Sequence, residues 1–417
     1  MARYFLSHPA MPRVQEGSFP SEAHGGVRIH TKAWLPDGLG ADRLRDKVAS
    51  PPSAVVLWSH GLHEHLGRFE KLHEALVAKN VAVYAWDHVG HGESGSCGEK
   101  RHQFPRGFDA VVADALQFAR CETRQTRGSR KTRARLRFVA CVSFFCNSRL
   151  FFFFSLTSET SPRASRPSRR LVRAKYPADA AVPVFVGGVS FGGLVAAHAC
   201  ARASAFGPRF AGCVLAAPCC DVEWTPLLRF QASIGAFLAR VAPDVRGAAA
   251  VTPDRLSSDP AAIEAYVSDP LVRVAHVRFL AAAEIVKGFD ALREDAFYEP
   301  ERFGDTPLLV MHGTADAACF FPASEAFVKR VKASDKTFVA MENGSHLLLH
   351  DAATATKARE EICAFVCTRA EAFRRTAKKN TPRRVSAPAR VDADVARYGV
   401  DAGAVTEAAE VDIGARL

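Results

Sequence analysis

Residues 184–193 read Val-Phe-Val-Gly-Gly-Val-Ser-Phe-Gly-Gly, an apolar run that ends at a serine flanked by glycines. Residues 183–189 predict a buried strand, and the small residues 193–201 predict a helix. Ser190 would stand at the sharp turn between them, where Gly188 and Gly192 leave room for the backbone. Such a turn projects a hydroxyl nucleophile, and the amides that begin the helix can stabilise an oxyanion. Because Gly-x-Ser-x-Gly also occurs by chance, a turn serine without chemistry is the alternative.

Strand-like and helical segments alternate on both sides of this stretch. Short apolar runs of the kind typical of buried parallel strands are separated by segments with helical spacing. This alternation predicts an α/β fold whose mostly parallel sheet is flanked by helices. The predicted strands are 27–35, 54–59, 81–86, 183–189, 212–217, 306–312 and 337–341, and the predicted helices include 69–78, 108–120 and 354–373.

An acid and a histidine follow two of the later strands. A serine hydroxyl needs a general base that is oriented by a third group, and the parts follow in the order serine, acid, histidine in this architecture. Asp316 comes after strand 306–312, and His346 comes after strand 337–341. His350 competes with His346 for the role of base, and Asp316 could instead be an ordinary turn aspartate. The order and position of the residues favour Ser190, Asp316 and His346 as a catalytic triad.

Two backbone amides are the candidates for an oxyanion hole. Phe191 follows the serine, and Leu62 follows the strand that ends in His60-Gly61. Residues 60–65 contain three histidines, which suggests a metal site as the alternative. The segment lacks the His-Glu-x-x-His pattern, and no distant carboxylate or cysteine cluster supports metal binding. We therefore expect no metal and no organic cofactor.

Several segments in order resemble the monoglyceride lipase-like branch of the α/β-hydrolases, which includes lysophospholipases and belongs with the serine aminopeptidase S33-type hydrolases. They are SHGLHEHLGRF at 59–69, AWDHVGHGESG at 85–95, VFVGGVSFGG at 184–193, LLVMHGTAD at 308–316 and ENGSHLLLH at 342–350. The resemblance implies the α/β-hydrolase fold, with Ser190, Asp316 and His346 as the catalytic groups and Leu62 and Phe191 as oxyanion amides. It also implies a helical cap before the strand that carries Asp316. One departure is His63, which stands where the family usually has glycine.

The function that follows is hydrolysis of lipid esters, such as monoacylglycerol or lysophospholipid, through an acyl-enzyme. An esterase for small or aromatic esters and a catalytically silent binding protein are the alternatives. Apolar residues of the expected cap would face a lipid surface or an acyl channel, unless their spacing reflects ordinary packing. These residues are Leu227, Leu228, Phe230, Ile234, Phe237 and Leu238. We expect no nucleic-acid partner, and the sequence does not indicate the oligomeric state.

The charge distribution and the cysteine content indicate where in the cell the protein is expected. The formal charge is +11, of which +10 falls in residues 121–170, so the remainder of the chain is close to neutral. The eleven cysteines have no regular spacing. Together with the absence of a signal-peptide pattern, this favours the cytoplasm, with or without peripheral membrane contact.

We predict an N-terminal extension at 1–17, a catalytic core at 18–218 and 306–375, a cap at 219–305 and a disordered tail at 376–417.

Residues 121–170 interrupt a helix that would otherwise run continuously from 108–120 into 171–176. The segment is rich in arginine and serine and contains a phenylalanine-rich run at 144–154. It is either a basic aromatic anchor for anionic lipid or nucleic acid, a disordered surface insertion, or translated intron. A transmembrane span does not fit, because Asn147 and Arg149 break the apolar run before it reaches about 20 residues. We favour the intron, since the phenylalanine, serine and leucine codons would form a pyrimidine-rich tract.

Sequencing of full-length transcripts is expected to find a species that lacks the codons for residues 121–170 and keeps the reading frame. If every transcript carries the segment, the intron interpretation is wrong.

Overall fold

Eight strands form one mixed sheet in the computed structural model, which describes residues 12–36, 51–96, 106–121, 182–206, 210–248, 251–273 and 276–380. The strands are β1 (Arg13–Pro20), β2 (Arg28–Leu35), β3 (Ala54–Ser59), β4 (Val81–Trp86), β5 (Val184–Val189), β6 (Gly212–Ala216), β9 (Leu308–Gly313) and β10 (Lys336–Met341). Their order across the sheet is β1-β2-β4-β3-β5-β6-β9-β10. A separate two-stranded ribbon pairs β7 (Arg246–Ala248) with β8 (Val277–Arg278).

The part of the sheet from β4 to β10 is parallel, and β1 and β2 are antiparallel additions at its edge. Every residue of β3 and β4 is buried, as expected for central strands covered on both faces. Because the parallel strands share one direction, their carboxyl ends meet along one edge of the sheet. The turns after β3, β5, β9 and β10 therefore lie near one another.

Helices cover both faces of the sheet. The described helices are α1 (Glu70–Val77), α2 (Phe108–Cys121), α3 (Phe191–Phe206), α4 (Pro226–Val241), α5 (Pro253–Leu256), α6 (Pro260–Val267), α7 (Phe279–Arg293), α8 (Phe321–Arg330) and α9 (Ala355–Asn380). One apolar cluster joins the sheet to α2, α3 and α8, and a second joins the opposite face to α1 and α9. Helices α4 to α7 and the β7–β8 ribbon lie between β6 and β9 in the chain, and they form the cap.

The predicted fold class is confirmed, with the cap placed before the strand that leads to Asp316. Three elements differ from the predictions. Strand β1 crosses the predicted boundary at residue 17, the cap contains the short β7–β8 ribbon, and α9 continues to Asn380 into the stretch predicted as tail. The domain boundaries otherwise stay predictions. The insertion 121–170 beyond Cys121 and residues 381–417 of the tail lie outside the described residues.

Buried histidines that cannot easily become charged are a prominent feature of this core. Burial is the main cause that lowers the pKa of His73 and His88 to about 3, and the pKa of His91 and His198 to about 4. Within the described residues, His73 has no hydrogen-bond partner at either ring nitrogen, and its ring lies 4.2 Å from that of Trp34. These rings are stable in the fold only as neutral groups.

We expect the protein to lose stability as the pH falls below about 6.5. The unfolded chain then binds protons that the folded chain excludes, so each such histidine can lower the free energy of unfolding by up to about 1.4 kcal/mol per pH unit. Urea unfolding at several pH values between 8 and about 4.5 measures this loss. A His73→Phe variant should show a smaller dependence on pH, and an identical dependence would contradict the role given to that ring.

Candidate active site

The turn between β5 and α3 holds Ser190 in a strained backbone conformation. Its φ is +53°, a value that residues with a Cβ rarely adopt outside functional sites. A Cβ at Gly188 would collide with the carbonyl of Gly192, and a Cβ at Gly192 would collide with the carbonyls of Ser59 and His60. Only glycine fits at both positions, because the turn lies directly against the end of β3. The local sequence therefore holds the serine at the carboxyl edge of the sheet.

Asp316 and His346 meet at the same edge. Asp316 lies in the turn after β9, and its Oδ2 accepts a hydrogen bond of 2.8 Å from Nδ1 of His346, which lies in the turn after β10. The other oxygen of Asp316 accepts two backbone N–H groups, those of Ala318 and Cys319, each at 2.8 Å. His350, the competing histidine, instead bonds through Nε2 to the carbonyl of Arg68 at 3.0 Å. The structure thus pairs the predicted acid with the predicted base.

Mutual stabilisation shifts the pKa of both members of this pair. Burial by itself would raise the pKa of Asp316, but the charge of His346 and the hydrogen bonds from His312 and His346 outweigh it and lower that pKa. Burial would likewise lower the pKa of His346, but the charge of Asp316 and hydrogen bonds to Asp316 and Cys319 raise it well above 6.5. In contrast, burial lowers the pKa of His350 to about 4. Asp316 therefore makes His346 the more basic imidazole.

The thiol of Cys319 lies close to both Ser190 and His346. The described side-chain partner of Ser190 Oγ is Cys319 Sγ, at 3.9 Å, and the same thiol contributes to raising the pKa of His346. Among the described contacts, a direct hydrogen bond between Ser190 and His346 is not formed. Rotation of the small Ser190 and Cys319 side chains changes these contacts without moving the backbone. Catalytic hydrogen bonds are often loose before substrate binds.

The loop after β3 carries the predicted oxyanion donor Leu62. Glu64 Oε1 accepts the N–H of Gly61 at 2.7 Å, and the other carboxylate oxygen of Glu64 accepts from Arg68 Nε at 3.1 Å. The ring of His60 donates from Nδ1 to the carbonyl of Gly61 at 2.7 Å. His63, which replaces the glycine usual in the family, has a φ of +67°. The loop is thus held from both sides of Leu62.

The histidines of residues 60–65 have separate partners. His60 Nε2 accepts from the backbone N–H of His88 at 2.9 Å, and His65 Nε2 bonds to Asp269 at 2.8 Å. Over the described ranges, no group of three or more histidine, cysteine or acidic side chains is arranged to hold a metal ion.

A cavity of about 740 Å³ joins these groups beneath the cap. Ser190, His346, Leu62 and Phe191 line it, together with apolar side chains of α4 and α7. The cap side chains that line the cavity include Leu228, Ile234, Leu238, Ala282, Ile285 and Val286. Four of the five predicted catalytic and oxyanion residues therefore face one apolar space. The fifth, Asp316, lies behind His346.

Sequence reasoning missed three side chains that support the site. Nε2 of His312 lies 3.0 Å from Asp316, Cys319 contacts Ser190, and Glu64 holds the loop before Leu62. The signal for His312 was its place one residue before the end of β9, four residues ahead of the acid. No sequence pattern indicates the contacts of Cys319, which depend on how separate loops meet, or those of Glu64, which depend on the irregular conformation of its own loop.

Comparison with known proteins supports this assignment of the site to a family. Residues 50–143 and 169–353 match the family described as serine aminopeptidase, S33, and the unmatched residues 144–168 fall inside the predicted insertion. The monoglyceride lipase of Homo sapiens is 23% identical over 323 residues, which cover 78% of this chain and 81% of that protein. A shorter stretch of 96 residues, covering 22% of this chain and 29% of the relative, is 35% identical to the monoacylglycerol lipase of Mycolicibacterium smegmatis.

Solved structures show the same fold. A soluble variant of the monoglyceride lipase from Saccharomyces cerevisiae, in complex with a substrate analog, superposes with a TM-score of 0.60 at 16% identity, covering 88% of this chain and 99% of that one. The monoacylglycerol lipase of Paleococcus ferrophilus gives a TM-score of 0.54 at 19% identity, with 86% and 99% coverage. The family match covers more than half of the chain. This chain therefore belongs to the serine aminopeptidase S33 family, as a monoglyceride lipase-like α/β-hydrolase.

Proposed function

We propose that this protein hydrolyses long-chain carboxylic esters with an uncharged head group, of which monoacylglycerol is the type, with Ser190 as nucleophile, His346 as general base and Asp316 as the residue that orients it. The main support for the proposal is the apolar cavity that Ser190 and His346 share. Ser190 and the histidine paired with Asp316 both line it, in a chain whose relatives include monoglyceride lipases.

The proposed mechanism follows from which ring nitrogen of His346 carries a hydrogen. Asp316 accepts the Nδ1–H of His346, so Nε2 of that ring is left as the base that takes the proton of Ser190. The serine oxygen attacks the ester carbonyl, and the amides of Leu62 and Phe191 stabilise the oxyanion. His346 then protonates the departing alcohol. Water, deprotonated by the same ring, hydrolyses the acyl-enzyme and releases the fatty acid.

The cavity wall supports a neutral lipid ester. Its volume lies within the range of about 300–1,000 Å³ that is usual for small-molecule sites. Apart from His346, the described lining side chains that carry a formal charge are Lys287, Asp290 and Glu64, the last of which is paired with Arg68, and no arginine is among the described lining residues. A phosphate group would be recognised by clustered cations. The wall thus favours monoacylglycerol over lysophospholipid.

Labelling by a fluorophosphonate probe, compared between the wild-type protein and Ser190→Ala, tests the assignment of the nucleophile. We expect labelling of the wild type alone, together with a loss of ester hydrolysis of at least about 10³-fold in the variant, since the hydroxyl forms the covalent intermediate. Ser334→Ala is the matched control, because it removes an exposed serine hydroxyl that does not line the cavity.

Hydrolysis rates over monoacylglycerols, lysophospholipids and short aryl esters then separate the candidate substrates. Faster turnover of monoacylglycerol supports the proposal. A preference for aryl esters would instead indicate a small-ester esterase. A wild-type protein that is neither labelled nor active would be a binding protein on this fold.

The outer face of the cap also supports peripheral contact with a membrane. Helix α4 has no buried residue, and Leu227, Phe230 and Phe237 are 65%, 65% and 63% exposed. The helix has two exposed arginines, Arg229 and Arg240, and no acidic residue. An exposed apolar stripe with basic neighbours is typical of a helix that lies in a lipid interface. The opposite face of α4 lines the cavity, so docking would place lipid beside the substrate space.

No helix within the described ranges is long and apolar enough to cross a bilayer. The cytoplasmic location stays a prediction from the sequence.

The double variant Phe230→Ser and Phe237→Ser should bind phosphatidylcholine vesicles that contain phosphatidylserine at least about tenfold more weakly, because two large apolar side chains no longer leave water. Vesicle sedimentation measures this change, and hydrolysis of a water-soluble ester should stay near the wild-type rate. Phe373→Ser, which changes an exposed phenylalanine of α9, is the matched control. Equal binding by all three proteins would contradict docking through the cap.

A further inference from the structure

A second histidine, besides His346, lies next to Asp316, the acid of the candidate triad. His312 stands near the carboxyl end of β9 and is fully buried. Its Nε2 lies 3.0 Å from Oδ2 of Asp316, the same oxygen that accepts the His346 hydrogen bond at 2.8 Å. With the two backbone N–H groups on Oδ1, four nitrogen atoms surround this carboxylate, two beside each oxygen. Together they restrict rotation of the carboxylate.

The tautomer of the His312 ring is set from its other side. Its Nδ1 lies 2.7 Å from Oγ of Ser324, a fully buried residue of α8. A hydroxyl that donates to Nδ1 leaves the ring hydrogen on Nε2, which bonds to the carbonyl of Cys319 at 3.3 Å and lies 3.0 Å from Oδ2 of Asp316. Ser324 Oγ also lies 3.9 Å from Cys220 Sγ. The ring is therefore held in one orientation, with its Nε2 hydrogen on the side of the acid.

We infer that His312 is a positioning residue for the proposed reaction: it acts through Asp316 and sets how that carboxylate holds His346. The inference rests on the proposed function, since it assigns a role relative to His346 as the base. A donor on Oδ2 withdraws part of the negative charge that His346 would otherwise receive. Without it, the carboxylate can rotate, and it binds the proton of the imidazolium more tightly.

The test compares two substitutions that differ by one methylene group. The amide nitrogen of His312→Gln can reach the position of Nε2 and still donate to Asp316, whereas His312→Asn is too short to do so. We expect kcat of the Gln variant to stay within about threefold of wild type. For the Asn variant we expect kcat to fall by about 10- to 100-fold with little change in KM, the usual effect of losing a hydrogen bond to a charged group.

The pH profile separates positioning from a loss of stability. In the Asn variant, the acid limb of kcat/KM should move to higher pH, because His346 keeps its proton longer. His198→Asn is the matched control: it changes another buried histidine, whose Nε2 donates to the carbonyl of Gly288 at 3.0 Å, and it should lower stability without moving the limb. If His312→Asn lowers only the unfolding temperature, or if the Gln and Asn variants behave alike, the inference is overturned.

Two further measurements keep the test decisive. In an Asp316→Ala background, adding His312→Asn should change the rate of fluorophosphonate labelling by less than about twofold, because the group through which it acts is gone. An undiminished effect would overturn the inference. If His312→Asn does not fold, Ser324→Ala replaces it, because it removes the hydroxyl that orients the His312 ring. The acid limb of kcat/KM should then also move to higher pH, and a limb that stays in place would overturn the inference. Failure of the proposed function itself would show separately, as a wild-type protein that is not labelled at Ser190.

Discussion

The contact between the Ser190 turn and the end of β3 is the constraint on which the site depends. Gly192 lies so close to the carbonyls of Ser59 and His60 that no side chain fits between them. The Ser190 turn and the loop that carries Leu62 are therefore held together by backbone packing rather than by side chains that can rotate. In the proposed reaction the oxyanion donors must be in place before charge develops, and a rigid junction of this kind meets that requirement.

Parallel strands explain why the other groups arrive at the same place. Strands β5, β9 and β10 end along one edge, and each is followed directly by one member of the Ser190, Asp316 and His346 set. Most of this could be predicted from the sequence. Buried parallel strands are unbroken apolar runs, and residues that follow such runs in order must meet at one edge. The pairing of Asp316 with His346 rather than with His350 needed the structure, since both histidines follow β10.

What could not be predicted shares a physical cause. Strand β1 alternates polar and partly buried residues at a sheet edge and includes glycine and proline, so it lacks the apolar signal of the central strands. The β7–β8 ribbon is too short to show a period. Cys319 and Glu64 are recognisable only by what they contact. Sequence periodicity reports which residues are buried, but not which buried polar atoms face each other.

Helix α4 has one face toward the substrate cavity and the other toward the solvent, and it has no fully buried residue. Little apolar area is therefore removed from water to hold it against the body of the protein, in contrast to α3, most of whose residues are buried. Regions with few buried contacts open locally at a small fraction of the free energy of global unfolding. The products of the proposed reaction can thus leave beneath α4 while the sheet and the strained Ser190 turn keep their shape through every turnover.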